Sequence, residues 1–401
     1  MLSAIRNGMQ VISVDDRKTR TEFLDIARIL YRDDATWVCP LDHDVEEIFT
    51  KGKNPFFGHG DAARWILRDD AGNPIGRIAA FINNKLAYSY DQPTGGFGFF
   101  ECVNDKDAAH LLFNTAKEWL AARGMEAMDG PINFGEIDKN WGLLVEGFTH
   151  PSFDVVYNHR YYRELFESYG FMMYYSMEGF HADLTRPFPE RFLRIASWVE
   201  KKQGYEYCHF TWKEKKRFVN DFLLVFNEAW SNYKKDFVPL GNDYINKVLN
   251  RARLALEEDF IWFAYYEGKP IAILLVFPDI NQILKYMGGK MNILNMLKFI
   301  ILRNRKTMTR AKGLLMGIIP KFHNLGIESA LFLQFYRAVR KKPHYTEVEL
   351  SWVGDFNPKM RRTFVNTGGV PAKKYIVYRY LFDRTRKFKR YPIHDFPGSG
   401  A

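Results

Sequence analysis

The chain has 401 residues, which at roughly 100–200 residues per domain predicts two or three domains with sizeable cores. Hydrophobic residues at 47% and charged residues at 26% exclude a collagen-like or largely disordered chain. Lysine and arginine number 57 against 47 acids, a formal charge of +10, which favours an anionic partner: nucleic acid, an acidic lipid surface or a phosphorylated small molecule.

The opening stretch MLSAIRNGMQVISVDD carries no apolar signal-peptide core. Ala63–Leu67 and Pro74–Ile82 read as strands joined by the turn residues Asp69–Asn73. Phe97–Val103 is a further strand, Ala108–Arg123 has helical spacing through Leu112, Ala116, Trp119 and Leu120, and Met125–Ile132 is a strand again. A short helix, Tyr161–Tyr169, stops at Gly170 before the aromatic strand Phe171–Ala182. Thr185–Glu190, with two prolines, is a connector.

The same order then returns. Phe260–Tyr266, the turn Glu267–Lys269 and Pro270–Phe277 repeat the hairpin. Leu314–Ile319, Ile327–Arg340 and Glu347–Val353 repeat the strand, helix and strand, and Pro358–Asn366, Gly368–Gly369 and Lys374–Phe382 repeat the closing elements. One insertion breaks the parallel: Met291–Leu302 (MNILNMLKFIIL), followed by Arg303, Asn304, Arg305 and Lys306. An interfacial helix flanked by cations has this pattern, and so does a buried helix with a solvated end.

The expected fold is therefore α+β, two tandem domains that each carry a mixed, mostly antiparallel twisted sheet flanked by helices. They occupy residues 1–184 and 191–385, with a linker at 185–190 and a basic, flexible tail at 386–401. Cys39, Cys102 and Cys208 lie far apart with no CxxC pair, which argues against a disulfide framework or a cysteine zinc site, so no metal is expected. With no run of about eighteen apolar residues, the expectation is a cytoplasmic protein, peripheral at the inner membrane if Met291–Lys306 meets an anionic surface. Basic residues are spread along the chain without helix-turn-helix, RNP or zinc-finger spacing, so no nucleic acid is expected.

The two copies differ most between the fourth strand and the long helix. The second reads Ile318-Ile319-Pro320-Lys321-Phe322-His323-Asn324-Leu325-Gly326-Ile327. A glycine at the first turn of a helix lets backbone N–H groups at its positive end converge on an anion such as a pyrophosphate. The first copy has Asn104-Asp105-Lys106-Asp107 there, two acids without a glycine, so phosphate binding is expected only in the second.

Pro320–Leu331 resembles the acyl-CoA pyrophosphate loop of the GNAT superfamily of N-acyltransferases. Asn357, the helix up to Gly368, and Tyr375 with Tyr378 on the last strand resemble its closing motif. With the repeated element order, the resemblance runs from about Gln10 to Asp383. Asn324 and Glu328 stand where glycine is usual, His323 where arginine is common, and Phe364 where many members carry a tyrosine general acid. The phrases Lys53–Phe57, Gly76–Ala80, Gly98–Cys102, Gly142–Val145 and Glu349–Trp352 are similar to a bacterial tandem-GNAT subgroup, some of whose members look like bacterial ceramide synthases.

The resemblance implies acyl-CoA as co-substrate, held by Ile318, Ile319, Lys321, Phe322, His323, Asn324, Leu325, Gly326, Ile327 and Asn357. It also implies that Leu314–Ile319 and Glu347–Val353 splay apart, with the backbone N–H of Ile318 or Ile319 facing the thioester carbonyl. Glu349 is the first candidate for the base, since it shares one face of its strand with Ser351 and flanks the thioester; Ser351, Asp355 and Glu101 are the others. The aromatic run from Tyr157 to Tyr175 is mostly core by its spacing, with a few rings free to line an acyl channel. The acceptor implied is a lipid amine or a small soluble amine, and an acyl-CoA-binding protein without catalysis is the reading outside enzymes.

Overall fold

The computed structural model describes residues 5–6, 8–135, 139–231 and 240–392. The first half contains β1 (Ile5–Arg6), β2 (Met9–Ser13), α1 (Arg17–Leu30), α2 (Asp42–Ile48), β3 (Gly60–Arg68), β4 (Pro74–Asn83) and α3 (Asn84–Ala87). It continues through β5 (Thr94–Cys102), α4 (Lys106–Ala121), β6 (Ala127–Gly130), β7 (Leu143–Glu146), α5 (Tyr162–Tyr169) and β8 (Met172–Asp183). The second half contains α6 (Glu190–Glu200), β9 (Tyr205–His209), α7 (Lys215–Ser231), α8 (Asn242–Ala252), β10 (Ile261–Tyr266) and β11 (Lys269–Pro278). Then come α9 (Asn281–Leu284), α10 (Ile293–Asn304), β12 (Arg310–Ile318), α11 (Ile327–Arg340), β13 (Glu347–Gly354), α12 (Pro358–Asn366) and β14 (Val370–Leu381).

Local chemistry sets several helix ends. Asp16 and Thr19 close a capping box at the start of α1. Asp105 caps α4, accepting from the Ala108 N–H at 2.8 Å. Gly170 ends α5 in the left-handed region at φ 101°, which a residue with a Cβ rarely adopts.

The halves share one sheet. Among the described residues it has 14 strands, ordered β1-β2-β3-β4-β5-β6-β14-β8-β13-β12-β11-β10-β9, with β7 added on β14. The closing strands are exchanged: β14 of the second half lies beside β6 of the first, and β8 of the first half lies beside β13 of the second. Among the described strands only β5–β6 and β12–β13 run parallel, one pair per half, as strand–helix–strand crossovers require.

Helices cover both faces. α4 and α5 bury one core with Phe97, Phe113 and Phe166, and α6 and α11 bury its counterpart with Phe180, Leu331 and Phe335. On the opposite face α1 packs Phe23 and Ile26 on the first half, and α7 and α8 pack Phe218, Leu223 and Ile245 on the second. Residues 386–392 of the expected tail run along the sheet, where Tyr391 packs on Tyr174, Tyr175 and Phe356 and donates its N–H to the Tyr174 carbonyl at 3.0 Å. Residues 393–401 of that expectation lie outside the described residues.

Candidate functional site

β12 and β13 pair only at their first residues, Arg310–Lys312 against Glu347–Glu349, and then separate. Each keeps its outer neighbour, β12 pairing β11 through Ile318 and β13 pairing β8 through Gly354. The splay therefore has intact walls and two unpaired inner edges. Leu314, Leu315, Met316 and Ile318 remain partly exposed although β12 is an interior strand.

A register shift marks each wall at the throat. On β12 it falls at Leu314, between the Leu315–Leu275 and Gly313–Val276 pairs. On β13 it falls at Ser351, between Leu350 and Trp352. Such bulges re-aim the chain and its side chains. Trp352, packed on the cluster of Tyr175 and Tyr375, lies on the side of Glu349, whereas Val348, Leu350 and Val353 face the α11 core.

The two candidate backbone donors separate cleanly. Ile319 donates its N–H to the Ile271 carbonyl at 2.9 Å, so strand alternation turns the N–H and C=O of Ile318 toward the splay. The Ile318 carbonyl already holds the His323 Nε2 at 2.9 Å. His323 thus ties the loop to the end of the strand.

Past β12 the chain makes a 3-10 turn, Pro320–Phe322, and enters α11 at Gly326, whose φ of +80° no side chain favours. Asn324 takes the left-handed conformation as well, at φ 63°. Among non-glycine residues, asparagine is one of the few that adopts it readily, which accounts for its standing where glycine is usual. Its Oδ1 accepts from Lys359 Nζ of α12 at 2.7 Å. Among the described residues, no backbone carbonyl takes the N–H groups of Asn324, Leu325, Gly326, Ile327 or Glu328. Lys321, Asn324 and Leu325 are exposed, Phe322 is wedged between the two cores, and Asn357 caps α12 by accepting from the Met360 N–H at 3.1 Å. In the first copy, the Asp105 carboxylate fills the corresponding helix start.

The four carboxylate and hydroxyl candidates are not brought together. Glu349 is buried, accepting from Lys373 Nζ and from Ser152 Oγ, each at 2.7 Å, with Arg310 Nη1 3.8 Å away. Burial pushes its carboxyl up, but Lys373 and Arg310 outweigh that and hold it below the ordinary range. A carboxylate so held is a weak base. Asp355 is exposed beyond the end of β13, paired with Arg390 Nη2 at 2.5 Å and accepting from Ser176 Oγ at 3.1 Å. Glu101 lies mostly covered in the first half among Arg77, Tyr162 and Tyr31; desolvation raises its carboxyl, against the pull of Arg77 and the Tyr162 hydroxyl, which donates at 2.7 Å.

Comparison with known proteins fits this geometry. No family model matches the chain. A bacterial ceramide synthase of Caulobacter vibrioides (strain NA1000 / CB15N) is 26% identical over 383 residues, 92% of this chain and 97% of that protein. Protein YghO of Escherichia coli (strain K12) is 25% identical over 368 residues, 89% of this chain and 91% of that one. A solved tandem GNAT protein from the clavulanic acid biosynthesis pathway superposes with a TM-score of 0.56 over 93% of this chain and 98% of its own, at 11% identity. The chain has the tandem GNAT fold.

Within this fold the first half also reaches into the second. The segment His150–Phe153 lies over the paired start of β12 and β13: Arg310 donates to the His150 and Pro151 carbonyls, Lys312 to the Phe153 carbonyl, and Phe153 N–H to Asp279 Oδ1 at 2.9 Å. Arg310 also binds Asp279 Oδ2 at 2.6 and 2.8 Å. Sequence reasoning missed Ser152, Asp279, Arg310, Lys312 and Lys373. They lie far apart along the chain, and no spacing signal links them.

Proposed function

We propose that the protein is an acyl-CoA-dependent N-acyltransferase whose thioester site is the β12/β13 splay of the second half. The observation that carries the reading is one strand that opens an unpaired edge at Leu314–Ile318 and ends in a loop of uncommitted N–H groups at a helix N-terminus. The residues fit such a ligand: Leu325–Glu328 for the diphosphate, and the inner edge of β12 for the pantetheine arm, taken up as an added strand. Bound there, acyl-CoA supplies the activated carbonyl.

The chain's own part is to orient and to polarise. The Ile318 N–H, turned toward the splay, donates to the carbonyl oxygen and stabilises the oxyanion formed as a neutral amine attacks. Glu349, locked by Lys373 and Ser152, fixes the throat instead of taking the proton. Asp355, exposed past β13, is the proposed acceptor of the amine proton, and collapse of the oxyanion breaks the C–S bond and releases CoA as its thiolate.

For the acceptor, the fold alone supports an amine of any size, including a small soluble amine or amino acid receiving a short acyl group. The reading of a long-chain lipid amine of the sphingoid type rests on the likeness to the Caulobacter ceramide synthase, at 26% identity, alone. Crossing acyl-CoA lengths with sphingoid, amino-acid and polyamine acceptors and reading product masses separates these. Products only from short donors and soluble amines reject the lipid reading; acyl-CoA binding without any product rejects catalysis.

A further inference from the structure

α10 is a connection between β11 and β12 that presents the wrong face to water. Asn292 caps it, and Phe299, 6% exposed, pins it to the core with partly buried Met291 and Leu302. On the outside Ile293 is 78% exposed, Leu294 74%, Leu297 55% and Ile301 52%, with Met296 and Ile300 beside them. At 3.6 residues per turn these six side chains cover an arc of about 160°. Stranding that much contiguous apolar surface in water is unfavourable unless something covers it.

The charge around it says what. Between Asp279 and Glu328 the chain has no acidic residue. Lys290, Lys298, Arg305 and Lys306, all exposed, surround the apolar arc. Lys298 reaches back to the Tyr286 carbonyl at 2.9 Å, so its charge sits at the helix's own level. An apolar face bordered by cations matches a bilayer with anionic headgroups.

We propose that α10 seats the protein on an anionic lipid surface, with Ile293, Leu294, Leu297 and Ile301 in the acyl region and Lys290, Lys298, Arg305 and Lys306 at the phosphates. α10 leads into the start of β12, and the loop Pro320–Gly326 follows its end. The nine residues of β12 span about 30 Å at roughly 3.3 Å each. A bilayer under α10 therefore meets the closed end of the splay and leaves the diphosphate loop in water, where a soluble acyl-CoA arrives. The docking rests on α10 alone; the orientation rests on the acyl-CoA reading above.

The test is co-sedimentation of the full chain with vesicles of phosphatidylcholine, with and without phosphatidylglycerol. Binding is expected to the anionic vesicles and to be roughly tenfold or more weaker to the neutral ones. The double variant Leu294→Glu/Leu297→Glu changes exposed positions only and should lose binding by a similar factor, while stabilisation by acyl-CoA stays intact. That retained stabilisation separates a failure of docking from a failure of the functional reading. Wild-type protein that ignores both vesicles, or a variant that binds like wild type, overturns the proposal. So does a wild-type dimer that the variant turns into a monomer without vesicle binding, since a second copy would then cover the face. For the orientation, a thiol introduced by Ile293→Cys should lose reactivity to a water-soluble maleimide on vesicles, and one introduced by Leu325→Cys should keep it; protection of both sites overturns the orientation.

Discussion

Arg379 of β14 holds Asp129 of β6 through hydrogen bonds of 2.6 and 2.7 Å, with the guanidinium stacked 3.6 Å over the Tyr174 ring. The pair is buried and joins the last strand of the second half to the first half. It marks the exchange that makes one sheet from two copies.

Arg379→Met should therefore cost about 3–5 kcal/mol, because it leaves a buried carboxylate without its partner. Chemical denaturation measures this directly. Adding Asp129→Leu should recover most of the loss, since two apolar residues remove the stranded charge. If the single variant unfolds like wild type, β14 is not held by this pair.

Glu349 has the opposite electrostatic signature to a catalytic base. Its carboxyl lies below the ordinary value of 4.5, so its stabilising contribution is complete above that pH and is lost as the pH falls through the lowered value. Glu349→Gln should lower stability at neutral pH and flatten the acid limb below about pH 4.5. The pH profile of kcat should keep its shape. A variant whose kcat profile shifts while its stability curve does not would return Glu349 to the role of base.

Much of the architecture was legible because its signals are local. The hairpin at Asp69–Asn73, the helical spacing of Leu112, Ala116 and Leu120, and Gly326 at the start of α11 all appear where periodicity and turn chemistry put them. What was not legible depends on partners far along the chain. Glu349 meets Ser152 across 197 positions and Lys373 across 24, and neither spacing leaves a pattern. The register shift against β8 at Ser351 left no sign either, because a bulge is a property of two strands together. The exchange of β8 and β14 escaped notice for the same reason: each reads as an aromatic closing strand, and nothing in either says which half it pairs with.

The loop yields a sharper variant than its glycine. A Cβ on Gly326 would come 2.9 Å from Val199 Cγ2 and would sit at positive φ, so substitution there mixes strain with chemistry. Leu325 is exposed beside the uncommitted N–H groups. Leu325→Asp should leave stability unchanged and weaken acyl-CoA binding by about tenfold or more through charge repulsion, read as a smaller thermal shift at fixed ligand. Asn324→Gly should preserve the loop, and Asn324→Val should disturb it, costing about 1–2 kcal/mol at a left-handed position. Equal thermal shifts for wild type and Leu325→Asp would move the diphosphate elsewhere.

Asp355 stands exposed at the open end of β13, paired with Arg390. A base contributes most when the acceptor arrives as an ammonium that must first lose a proton, so its value shrinks as pH approaches the amine's own pKa. Asp355→Asn should therefore lower kcat/KM by about a hundredfold near neutrality and progressively less as pH rises. Arg390→Met breaks the same ion pair from the other side and leaves the carboxylate in place, so it should retain most of the neutral-pH activity. A deficit in Asp355→Asn that stays constant across pH, matched by Arg390→Met, would mean that the pair anchors residues 386–392 and that the proton leaves by another route.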